Sequence, residues 1–77
     1  MRIQEILDQL NALPASDPYP TDLIHGLPEW DQDATNRAAG YGYGASFGLA
    51  DGTLVVFDGQ LERWVVMDPE TGVAVQS

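Results

Sequence analysis

The chain has no cysteine and no lysine. Without cysteine it can form neither a disulfide nor a thiolate metal site, which fits a reducing compartment and makes a cytoplasmic protein the expectation. Its only bases are Arg2, Arg37 and Arg63, set against twelve acids, for a net charge of -9. Such a field repels nucleic acid phosphates and anionic lipid, so direct DNA, RNA or membrane-surface binding is not expected. No apolar run approaches the roughly 18 residues of a membrane span. The opening Met1–Leu10 carries acids among its apolar residues, unlike a secretory signal peptide. Seventy-seven residues make room for one domain, 1–77, and so short a chain buries only about 60% of its unfolded surface.

What the chain does have is turn chemistry. In residues 45–77, Asp51-Gly52, Asp58-Gly59 and the Asp68–Gly72 segment separate short apolar runs, the pattern of an antiparallel β-meander with three to four strands. Strands are expected over 45–50, 53–57, 60–67 and 73–76. A two-residue loop at Asp51-Gly52 pairs Leu49 with Leu54 and Phe47 with Val56. It places Ala45, Phe47, Leu49, Leu54 and Val56 on the face met by a helix. Ser46, Gly48, Ala50, Thr53, Val55 and Phe57 then fall on the other face. A two-residue loop at Asp58-Gly59 adds Leu61, Arg63, Val65 and Met67 to the helix side and Glu62, Trp64 and Val66 to the far side; a three-residue loop reverses that, because one step of register flips every side chain. Either way the far face keeps too much apolar bulk to lie bare, so the connector or a partner is expected to cover it.

The helix is N-terminal, residues 1–13, with Ile3, Ile6, Leu7, Leu10 and Leu13 on one stripe and Pro14 as its stop. Residues 14–44 form a Pro/Gly-rich acidic connector. Within it, Thr21–Gly26 reads as one helical turn with Thr21 as N-cap and Gly26 as terminator. A short second helix over 31–39 is capped by Asp31 and carries only alanines on its apolar side, so it is expected to pack shallowly. Gly40–Gly44 reads as a flexible link. The fold class is thus α+β: an amphipathic helix on a β-meander, joined by a loop-rich segment.

No stretch carries a catalytic or cofactor signature. Gly40-x-Gly42-x-x-Ala45 imitates a dinucleotide fingerprint, yet lacks a strand before it and a helix after it. Asp31-x-Asp33-x-Thr35 starts like a calcium loop but has Asn36 and Gly42 where the loop requires glycine and glutamate. His25 is the only histidine, too little for a zinc site or a nucleophile–base pair. No metal, no cofactor and no enzymatic activity are expected.

The feature that remains is acidic and aromatic. Asp17, Asp22, Glu29, Asp31 and Asp33 lie in the connector with no base among them, interleaved with Tyr19 and Trp30. Interfaces favour aromatic anchors inside a polar rim, and acids speed docking on a basic surface. Phe57 and Trp64, expected on the far sheet face, complete the candidate binding set. The expected function is a small acidic protein-binding module, of the inhibitor, immunity or anti-defence kind, that occludes a basic surface on another protein. One alternative is a nucleic-acid mimic that occupies a DNA- or RNA-binding protein; another is an assembly module that forms a homo-oligomer through the sheet face or the helix stripe.

Overall fold

The computed structural model describes residues 3–13, 19–68 and 73–75; Pro14, Asp17, Pro18 and residues 69–72, where the last turn was expected, lie outside them. The elements run α1 (Ile3–Asn11), α2 (Thr21–His25), α3 (Gln32–Ala39), β1 (Ser46–Gly48), β2 (Leu54–Asp58), β3 (Arg63–Asp68) and β4 (Val73–Val75). Strands β1, β2 and β3 build an antiparallel sheet in sequence order, and Val73–Val75 lies beside Val66–Asp68. Among the described residues no helix is long and apolar enough to cross a membrane.

The register of the first hairpin differs from the two-residue expectation. Phe47 faces Val55 and Gly48 faces Leu54, because the loop contains three residues, Ala50 to Gly52. The Gly52 N–H donates to the Leu49 carbonyl at 2.9 Å, closing a turn, and Gly52 follows at φ 93°. Asp-Gly therefore occupies the end of a bulged loop, where only the glycine adopts positive φ. The Asp51 carboxylate meanwhile accepts from the Thr53 N–H at 2.9 Å.

In the second hairpin Asp58 pairs with Arg63 and Phe57 with Trp64, leaving a four-residue loop, 59–62. Asp58 stays in the strand and uses its carboxylate as an acceptor for the Gln60 and Leu61 N–H groups. Glu62 takes the left-handed conformation, at φ 55°.

These registers sort the side chains into two cores. Ala45, Phe47, Leu49, Val55 and Trp64 face α1, meeting Ile6, Leu7 and Leu10 of its stripe and Ile24 and Leu27 from the connector. Leu54, Val56, Val65 and Met67 face the other way, against Ala34 and Ala38 of α3. Leu54 and Val56 are thus on the face opposite Phe47 and Leu49, the reverse of the expected grouping. Val65 and Met67 do share a face with Leu54 and Val56, but that face belongs to α3. The connector does cover the second face, and it does so closely rather than shallowly. Ala34 and Ala38 are fully buried, and Tyr43 packs on this core where a flexible link was expected.

Helix α3 owes its seat to small residues and to its start. Asp31, in extended conformation, accepts from the Ala34 N–H at 2.9 Å, the N-cap bond expected of it. The Thr35 hydroxyl donates to the Asp31 carbonyl at 2.7 Å and accepts from the Gly48 N–H at 3.0 Å, tying the helix to β1. Replacing Asp31 with alanine is expected to lower stability by about 1 kcal/mol, and Asp31→Asn much less. Urea melts of the two variants measure the difference. In α2, by contrast, Thr21 is the first helical residue and makes no side-chain cap bond, while Gly26 ends the helix in a right-handed conformation.

Asp51 links this turn geometry to pH. Bonds to the Thr53 backbone and hydroxyl hold its carboxyl below the ordinary value of 3.8. Because the folded pKa lies below the unfolded one, the stabilisation is complete above about 3.8 and fades as pH falls through the folded value. Asp51→Ala is therefore expected to melt slightly earlier than the parent at neutral pH and level with it in strong acid. The side chain is exposed, so the difference is small.

Candidate functional site

Most of the acidic-aromatic set lies on one ledge formed by α2, the turns after it and the start of α3. Pro20 precedes α2, and its carbonyl accepts from the Ile24 N–H at 3.0 Å. Gly26 N–H returns to the Asp22 carbonyl at 3.1 Å, an approach that a Cβ would crowd at 2.9 Å. Two further turns, Leu27 to Ile24 and Trp30 to Leu27, carry the chain to the sheet. There Trp30 forms an antiparallel bridge with Leu49. Buried Ile24 and Leu27 anchor the ledge below, leaving Tyr19, Leu23 and Trp30 half-buried at its surface.

The rings run in a row. His25 lies 4.7 Å from Trp30, tilted by 42°, and Tyr19 meets His25 edge-on at 6.3 Å. Burial pushes the Tyr19 phenol above its ordinary pKa, so it remains a neutral hydroxyl. The Trp30 Nε1–H is buried with no hydrogen-bond partner. Beside Tyr19 opens a cleft of about 410 Å³, walled by Leu13, Tyr19, Pro20, Thr21, Asp22 and Leu23.

The acids on and near the ledge differ in employment. Asp31 is committed to its helix cap, and the Glu29 carbonyl accepts from the Ala50 N–H at 2.8 Å, with the Glu29 side chain half-buried. Asp22 and Asp33 are exposed, and their carboxylates accept no cap or turn bond. Asp17 lies outside the described residues.

Phe57 and Trp64 do not join this set. Trp64 is only 3% exposed, packed between Phe47 and Phe57 with both ring centroids 5.7 Å away. The shifted register turns it onto the α1 face, so a ring expected on the far sheet face is part of the first core, and Phe57 packs at that core's margin.

The residues of the ledge and cleft that were outside the expected binding set are His25, which bridges the two larger rings, and Leu13, Pro20, Thr21 and Leu23. The available signal was the neighbouring pair Leu23-Ile24 in a one-turn helix, which cannot both face the core. Among the described residues no group of three or more His, Asp or Glu gathers as metal ligands would. No family model, curated protein or solved structure matches the chain.

Proposed function

We propose that the chain is a small acidic protein-binding module that occludes a basic surface on another protein, as inhibitors, immunity proteins and anti-defence proteins do. The observation that carries this reading is the ledge: three contiguous rings, a cleft beside them, and carboxylates left unspent by the local structure. Long-range attraction from a chain of net charge -9 steers the encounter. Burial of Tyr19 and Trp30 then holds the complex, with Asp22 and Asp33 at the rim. No catalytic step is assigned to any residue.

The acids are spread widely. Glu5 and Asp8 lie on α1, Asp22 on α2 and Asp33 at the start of α3, while Asp51 precedes β2 and Asp58 ends it. That distribution supports general attraction to a basic surface better than imitation of a phosphate row. A homo-oligomer through the sheet face or the helix stripe has less to recommend it, since α1 and α3 already cover both faces.

Tagged protein incubated with a lysate of its own host is expected to retain one stoichiometric partner of high isoelectric point, released as salt rises. Trp30→Ala combined with Asp33→Asn should reduce that retention severalfold. A lysate that yields nothing at low salt would count decisively against the proposal.

A further inference from the structure

We infer that the cleft beside Tyr19 receives one arginine side chain of the basic partner, an inference that rests on the binding reading above. Among the described residues the carbon-rich walls are Leu13, Tyr19, Pro20 and Leu23, with Thr21 and the acid Asp22 beside them. A largely carbon-rich wall with an acid on it matches a side chain that is apolar along its stem and cationic at its head. Arginine fits better than lysine: its planar guanidinium forks onto a carboxylate and also stacks on aromatic rings. Tyr19 is the first ring of the Tyr19–His25–Trp30 row, so a head group seated at Asp22 has an aromatic neighbour on the same wall.

The chemistry of the other acids points to the same residue. The carboxylates of Asp31, Asp51 and Asp58 accept backbone N–H groups of their own caps and turns, whereas Asp22 is exposed and its carboxylate caps nothing in α2. A purely apolar guest would desolvate that carboxylate without replacing its water, and an acidic guest would be repelled. The roughly 410 Å³ opening exceeds one side chain, which leaves room for the backbone that carries the arginine.

The test uses the full chain, isotopically labelled, and a blocked Gly-Arg-Gly peptide at millimolar concentration. Saturable amide shifts are expected at Tyr19, Thr21, Asp22 and Leu23. The same peptide with neutral citrulline should produce none, and the lysine peptide distinctly smaller ones. Asp22→Asn, whose remaining spectrum reports an intact fold, should abolish the response. Shifts centred elsewhere, an equal response to citrulline or lysine, or an undiminished response in Asp22→Asn would overturn the inference. The broader reading fails separately. If Asp22→Asn still retains a salt-sensitive partner from lysate, the cleft assignment alone is sunk. If the arginine peptide binds the cleft while the lysate yields no partner, the cleft stands and the occlusion of a basic protein falls.

Discussion

Gly48→Ala is expected to cost about 3 kcal/mol, at the upper end for an added methyl group, because the obstacle is mostly main chain. A Cβ built on Gly48 would collide with the Ala34 carbonyl carbon and Cβ and come within 2.5 Å of the Ala34 carbonyl oxygen. Relief requires α3 to lift from the sheet. That movement opens the second core and strains the Thr35 bonds to Gly48. A chain of 77 residues has about 4–11 kcal/mol of stability in total, so this one methyl should remove a large share. Adding Ala34→Gly should restore little, since two of the three colliding atoms are backbone. Chemical denaturation followed by circular dichroism measures both variants. A parent-like midpoint for Gly48→Ala would show that α3 does not depend on this close approach.

The second large effect is expected at Asn11. Its side chain imitates a neighbouring strand: Oδ1 accepts from the Trp64 N–H at 2.7 Å and Nδ2 donates to the Trp64 carbonyl at 3.2 Å. Among the described residues Val73–Val75 pairs with Val66–Asp68 and not with Trp64, so there the Asn11 side chain takes the place of a strand partner. Asn11→Ala leaves both groups without their partner and is expected to cost about 2 kcal/mol, the desolvation penalty of orphaned backbone groups. Hydrogen exchange at the Trp64 amide should accelerate along with the loss in melting temperature. An unchanged exchange rate would mean that the Asn11 bonds are not what protects this amide.

How much of this was legible varies by element, for physical reasons. The stripe of α1 was, because Ile6, Leu7 and Leu10 fall at helical spacing and polar residues fill the rest. The Asp31 cap was too, since an acid before a helical stretch has one dominant use. The registers were not. Leu54-Val55-Val56-Phe57 and Trp64-Val65-Val66-Met67 are apolar at every position, and a strand between two cores offers no alternation to choose a face. Asp-Gly added to the ambiguity, because a carboxylate can accept turn N–H groups while only the glycine adopts positive φ. The depth of α3 was hidden as well. Alanines look like weak anchors until a glycine on the facing strand lets backbone meet backbone.

The candidate site divides similarly. Tyr19, Asp22 and Trp30 are close in sequence, and the short turns between them bring Tyr19 and Trp30 to either side of His25 and Asp22 to the cleft beside Tyr19. Trp64 was lost to the core because its side depended on an undecidable register. Only two large apolar side chains, Tyr41 at 43% and Leu61 at 42%, are counted as exposed among the described residues. The other large apolar side chains among the described residues are buried or half-buried.

The bridge between Trp30 and Leu49 has one more consequence. Asp31 N–H donates to the Gly48 carbonyl at 3.0 Å and Ala50 N–H to the Glu29 carbonyl at 2.8 Å, while the Thr35 hydroxyl takes the Gly48 N–H. The outer border of β1 is sealed there by the chain's own connector. A visiting peptide cannot extend the sheet by adding a strand at those positions. Recognition along this border must be read from side chains, which is a sequence-selective mode, rather than from backbone, which is not.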